Sequence, residues 1–263
     1  MAEALEHSMA TATRPRVPPG AWLPLAIGAA WLLLIDTGVW THPLLVPLHE
    51  VLAAPFFDGQ GRQIWPALGA SLLRVVLGFL IGATLGIGLG VAVGLSRPAQ
   101  LAVAPTVHGL RQVALFAWIP LLTAWFGNGE VAKIVFISIS TFFPIFLNTE
   151  QGVRGIPPAY REVAAIARLG PWLRLRRLVL PAILPSVLTG VELALLTAWI
   201  GTVGSEYAIG TGRGIGAYLA TARDVFRMDL VLIGVLVMAL VGYGLSRFAQ
   251  HLFVRLVPWR NRR

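Results

Sequence analysis

The 263-residue chain has a mean hydropathy of +0.74 and only 13% charged residues, about half the share usual in a soluble globular domain. Its net charge of +9 comes from arginines beside apolar runs, which points to membrane topology rather than to nucleic acid. It has no cysteine, which excludes a disulfide framework, thiol catalysis and a thiolate metal site.

The first twenty residues carry Arg14 and Arg16 without a cleavable apolar core, and read as a cytoplasmic tail. The run Ala21–Trp40 is too long for a signal peptide and reads as a membrane anchor followed by an outer loop, so that residues 21–60 form one unit. Residues 61–263 form the core. A bilayer asks for ~20 apolar residues per helix. Five further runs meet or approach this: about Leu68–Leu95, Ala104–Phe126, Val131–Thr149, Ala182–Val203 and Leu230–Phe253. The expected fold is all-α, a polytopic membrane protein of about six spans. The second span has glycine at 78, 82, 86, 90 and 94, a bare stripe along one helix side that lets another helix approach closely. Pro105, Arg111 and Pro120 interrupt the third span, which places it inside the bundle, where neighbours can satisfy freed carbonyls.

Charge sets the orientation. With the N-terminus, the 96–103 link, the 151–181 loop and the C-terminal tail inside, those segments hold fourteen Lys/Arg against five in the opposite loops. Both termini are then cytoplasmic, in a cytoplasmic (inner) membrane.

Loop 151–181 carries six arginines (154, 161, 168, 174, 176, 177) and a single acid, Glu162. Pro157-Pro158 can only start a helix, and AYREVAAIARL continues it with helix formers. Gly170 is expected to cap its end, and Pro171 to open a second helix that Pro181 closes before the next span. Ala164, Ala165 and Ala167 keep the first helix slim, and Glu162 near its start complements the helix dipole. Two roles fit such a loop: insertion into the cleft of a cytoplasmic partner, or a seat on anionic lipid.

Glu162-Val163-Ala164, followed by a turn and Leu178-Val179-Leu180-Pro181, resembles the EAA loop of ABC-transporter permeases. In that family the first helix of the loop is the coupling helix, held in a groove of the cytoplasmic ATPase. The resemblance implies that Tyr160, Arg161, Glu162, Val163, Ala164, Ala165, Arg168, Gly170, Leu180 and Pro181 serve ATPase coupling. Val163 and Leu178 depart from the family's Ala and Ile, and Arg168 stands at its glycine position, with Gly170 two residues late. Residues from about 65 to 259 resemble the binding-protein-dependent permeases for sulfonate, nitrate, taurine and bicarbonate, chiefly through IPLLTAWFGNGEVAKI and the stretch Thr189–Ala217. The implied fold is that of a type I ABC importer permease. The implied partners are two ATPase subunits, which hold the ATP and Mg, a second permease copy and an extracytoplasmic substrate-binding protein. The implied solute is a small anion, with aliphatic sulfonates first and nitrate, taurine, bicarbonate or aromatic carboxylates behind. An ion-gradient-driven transporter and a lipid-binding scaffold are the competing classes.

Polar residues inside spans are costly and usually face a cavity. Glu192, Trp199 and Glu206 fall seven apart, with Thr202 near the same face, and read as one interior stripe of a path or gate. The glycine-rich SEYAIGTGRGIGAY should break the helix near the outer surface, with Glu206 either orienting an arginine such as Arg213 or setting a gate. Arg111 can fork onto an oxyanion or snorkel to the cytoplasmic face. Trp118 and nearby aromatics pack, and some can line an apolar path. His108 stands alone, so no metal site is expected, and no phosphate loop or hydrolase motif occurs, so the chain itself should bind no cofactor and hydrolyse no ATP.

Overall fold

The computed structural model describes residues 22–36 and 46–256. The expected cytoplasmic tail, the end of the first anchor and the last seven residues lie outside the described residues, as does the orientation of both termini. The chain divides into two units, residues 1–52 and 53–263. In the first, α1 (Trp22–Asp36) is an apolar helix of 15 residues, and α2 (Leu48–Phe57) begins.

In the second unit every described element is helical. α3 (Ile64–Leu95) is followed by α4 (Arg97–Leu110), α5 (Trp118–Phe126) and α6 (Glu130–Arg154). Then come α7 (Pro158–Ile166), the one-turn α8 (Pro171–Arg174), α9 (Leu180–Ile209), α10 (Ile215–Asp224) and α11 (Met228–Leu256). Among the described residues, four stretches are long and apolar enough to cross a membrane, or five if the bent pair below is one span: Gly61–Leu95, Glu130–Arg154, Pro171–Ile209 and Met228–Leu256.

The expected third span is not one helix. Arg97–Leu110 and Leu115–Phe126 meet at 90° across a short break. Ser96 caps α4 by accepting the Ala99 N–H at 3.3 Å, so the helix starts well before residue 104. Arg111 sits at its C-terminal end, where the chain turns.

α6 is the central helix, packed between α3 and α9. All five stripe glycines of α3 face it, and a Cβ built on each would meet Ile137, Thr141, Ile145, Thr149 and Val153. Those partners also recur every fourth residue, and all are β-branched. Rigid branched side chains on one helix fill the bare groove of the other, so dispersion contacts replace those that lipid would offer.

Pro144 lies inside α6 and donates no N–H, which frees the Ser140 carbonyl one turn earlier. The Thr197 hydroxyl of α9 donates to that carbonyl at 3.0 Å. A polar side chain on the neighbouring helix thus repairs the ladder where water is absent.

The island departs from expectation at two places. α7 ends at Ile166, and the left-handed residue that stops it is Arg168, with φ +48°, not Gly170. The Arg168 N–H donates to Ala165 O at 3.0 Å and the Leu169 N–H to Ala164 O at 3.1 Å, the paired bonds of a Schellman cap. Gly170 instead precedes α8, in extended backbone. Nor does Pro181 close the second helix. Leu175–Val179 widens into a π-turn that runs straight into α9, and Pro181 falls in the first turn after it, where a missing N–H costs little.

Candidate functional site

Two places stand out, one at each end of the bundle. At the end where α3 begins, Glu206 is completely buried. Its carboxylate accepts from the Arg74 guanidinium at 2.5 Å and from the Gly216 N–H at 3.0 Å, and the Ser71 hydroxyl lies 2.8 Å from both its oxygens. Ser71 in turn accepts the Ile215 N–H at 2.9 Å. The first two N–H groups of α10 are therefore satisfied by Ser71 and Glu206, with the negative charge at the positive end of the helix dipole.

Arg74 also forks onto Glu130, with Nε 2.5 Å from Oε2 and the second nitrogen 2.8 Å from Oε1. Lys133, fully buried, lies 3.6 Å from Glu130 and donates to the Thr211 carbonyl, while the Thr211 hydroxyl donates to Asn128 O at 2.9 Å. Two carboxylates and two cations thus meet with their charges balanced, Arg74, Lys133 and Glu206 buried and Glu130 open on one side. Balance makes such burial tolerable, since an unpaired charge there costs several kcal/mol. The cluster ties α3, α6 and α9 to the loop of residues 210–214. Gly214 has to be glycine, because a Cβ there would run into the Glu206 carboxylate.

Arg213 is not the partner of Glu206, contrary to the sequence reading; Arg74 is. Of the expected interior stripe, Trp199, Thr202 and Glu206 are buried and Glu192 only half-buried. Trp199 is 5% exposed and donates its indole N–H to Met238 O of α11 at 3.2 Å, which makes it a tie between two helices. Thr202 is fully buried and donates to Ala198 O of its own helix at 2.8 Å. Glu192 is half-buried, with no hydrogen-bond or ion-pair partner among the described residues. Trp118 packs beside Leu122, Ala132 and Phe136, its indole N–H buried without an acceptor among the described residues. Arg111 is exposed.

At the opposite end, α7 projects beyond the spans. Arg161 donates to Val153 O at 3.0 Å, holding the helix against the end of α6. Ala164 is 4% exposed and faces the bundle, whereas Val163 and Ile166 are 63% and 84% exposed. Tyr160 and Trp172 are also largely exposed, as are Glu162, Ala165, Arg168 and Gly170. Leu180 is exposed too, and Pro181 lines a cavity beneath α7 together with Tyr160. The slim side formed by Ala164 is therefore turned inward, and the outward face is a row of larger apolar side chains. One turn deeper, the isolated-looking His108 has Nε2 3.2 Å from the buried Glu150 carboxylate, which Arg154 meets at 3.3 Å.

Sequence reasoning did not select Ser71, Arg74, Glu130 and Lys133. The signal for Arg74 was present, because an arginine inside an apolar span demands a counter-charge.

This bundle, with its broken span, a short exposed helix at one end and a charge-locked glycine loop at the other, belongs to the class of ABC-importer membrane permeases. The fold is shared with a chain of the MetNI methionine ABC transporter in an inward-facing crystal form, at TM-score 0.65 and 19% identity, over 76% of this chain and 98% of that one. Residues 78–257 match the binding-protein-dependent transport system inner membrane component family, and the chain belongs to that family. Among its relatives are a putative aliphatic sulfonates transport permease of Bacillus subtilis, 35% identical over 92% of this chain and 87% of the relative, and a bicarbonate transport system permease of Synechococcus elongatus, 34% identical over 89% and 88%. The taurine transport system permease of Escherichia coli is 30% identical over 94% of this chain and 93% of its own.

Proposed function

We propose that this chain is the membrane-embedded half of an ATP-driven importer that carries a small organic or inorganic anion, with aliphatic sulfonates the leading class and nitrate, taurine, bicarbonate or aromatic carboxylates the alternatives. The anion arrives on a separate extracytoplasmic binding protein. Two copies of the chain frame the path, and each offers α7 to one of two cytoplasmic ATPase subunits, which hold the ATP and Mg. ATP-driven closure of the ATPase pair draws the two α7 helices together and rocks the spans between inward-open and outward-open states. The chain lies in the bacterial inner membrane with both termini in the cytoplasm and contributes no catalytic group.

The observation that carries this reading is the outward face of α7. Tyr160, Val163 and Ile166 are 57%, 63% and 84% exposed, on a short helix pinned at its base and stopped by a tight cap. A contiguous apolar face raised on a rigid stalk fits a protein groove better than bulk water. The arginines that flank it explain the positive-inside bias.

The test is co-purification of the cognate ATPase with the full-length chain. Glu162→Arg and Ile166→Asp should each lose the ATPase while the chain stays folded in detergent, because both positions are exposed. Retention of the ATPase by both variants at the parent's level sinks the coupling reading. Reconstituted complex should take up radiolabelled ethanesulfonate only with binding protein and ATP. Uptake by the chain alone would identify a gradient-driven transporter instead.

A further inference from the structure

A half-open cavity of about 290 Å³ lies at the same end of the bundle as the Arg74–Glu206 cluster. Gln60, Gln63 and Ala67 line it from one side, and Arg213, Tyr218 and Thr221 from the other. That volume is at the lower edge of small-molecule pockets and suits an anion of a few heavy atoms with a short tail. No carboxylate lines it.

The electrostatics single out one residue. Of the cations at this end, Arg74 and Lys133 meet Glu206 and Glu130. Arg223 meets Asp224, and Arg227 meets Asp58 and Asp229. Arg62 donates to the Phe56 carbonyl at 2.8 Å. Arg213 alone among these six has no ion-pair or hydrogen-bond partner among the described residues, and it lines the cavity. Around it the amide oxygen of Gln60 takes a bond from Arg227 at 3.4 Å, which leaves the amide NH2 as a donor. The Thr221 hydroxyl spends its proton on Ala217 O at 3.0 Å and so offers an anion no donor, whereas Gln63 adds a second amide. The loop that carries Arg213 is held from behind, where the Glu206 carboxylate packs against Gly214 and the Gly216 N–H.

We propose that this cavity is a binding site for a small oxyanion, a sulfonate or carboxylate head group, with Arg213 as the charge that recognises it. The guanidinium offers its fork to two oxygens, the glutamine amides supply neutral donors, and the Tyr218 ring with Ala67 takes the short apolar tail. It is a station at the outer mouth, before the membrane path. The solute class rests on the importer reading above; the site itself rests on the unpartnered arginine in its cavity.

The experiment is isothermal titration of the full-length chain in lipid nanodiscs, without binding protein or ATPase. The probes are ethanesulfonate, nitrate, bicarbonate, benzoate and the neutral ethyl methyl sulfone. At least one anion should bind and the sulfone should not. Arg213→Gln should weaken that anion by about tenfold or more, the loss of a charge-assisted hydrogen bond, with Arg213→Lys intermediate. Arg213 is exposed on a loop, so its replacement leaves the fold intact, and circular dichroism checks this. Failure of every anion to bind, equal binding by Arg213→Gln, or equal binding of the sulfone overturns the proposal. Anion binding by a chain that recruits no ATPase would leave this site standing while the importer reading falls. ATPase recruitment without anion binding would do the reverse.

Discussion

Arg168 shows how one residue can hold a turn at a cost. A non-glycine residue at φ +48° brings its Cβ against the backbone, at about 1 kcal/mol, and glycine carries no such penalty. The Schellman bonds on either side hold it there. Arg168→Gly should therefore raise stability, by about 0.5 kcal/mol once the greater freedom of glycine in the unfolded chain is counted. Arg168→Val, β-branched in the same conformation, should lower it by more than 1 kcal/mol (roughly). Urea titration of the chain in detergent measures both, and the idea fails if the glycine variant is the less stable of the two. Gly170 drew attention in the sequence because glycine is the usual stop signal. Its extended backbone, at φ −61° and ψ 158°, is open to most residues.

At the scale of elements, the glycine stripe of α3 was legible from period alone, and its partner was not. Ile137, Thr141, Ile145, Thr149 and Val153 form an equally regular row, but β-branched residues at every fourth position also suit a helix that faces lipid. Only the pairing of the two rows reveals the seam. The seam predicts opposite outcomes for one substitution on one helix. A Cβ at Gly90 would lie 2.8 Å from Thr149 Cβ and 2.9 Å from Phe146 O, a backbone atom that cannot step aside. Gly88, two residues earlier, has nothing within 4 Å. Gly90→Ala should force α3 and α6 apart and cost about 1–3 kcal/mol, whereas Gly88→Ala should be neutral or stabilising by up to about 1 kcal/mol, through helix propensity. Thermal unfolding of the two variants in the same detergent decides the point, and a loss at both positions would show that α3 resists alanine for another reason. The broken third span was half legible. Pro105, Arg111 and Pro120 marked an interruption, but not the packing of the first half, where Ala104 and Val107 meet Val93 of the preceding helix and Phe146 of α6.

Across the whole molecule, Glu206 and Arg213 were legible as site residues, and the reason Arg74 was missed as the partner of Glu206 is distance along the chain. Arg74 and Glu206 are 132 residues apart, and each looked like a lone charge in an apolar run. Arg213, seven residues from Glu206, seemed the natural partner on proximity, yet Glu206 is held by Arg74 and Ser71 of α3. That choice leaves Arg213 free for a ligand and uses the buried pair to fix the loop on which Arg213 stands. The two roles can be separated by a double-mutant cycle. Arg74→Met leaves Glu206 buried with only Ser71 and the Gly216 N–H, and should cost about 3–5 kcal/mol, because an uncompensated charge remains in a dry interior. Adding Glu206→Gln removes that charge and should recover part of the loss, a coupling of about 1–3 kcal/mol. The double variant should then fold, but with the 210–214 loop released from its anchor, so ethanesulfonate affinity in the nanodisc titration should fall even though Arg213 is intact. Parent-level affinity in a folded double variant would show that the buried cluster stabilises the bundle without shaping the site. Strict additivity of the two single changes would show that Arg74 and Glu206 do not act as a pair.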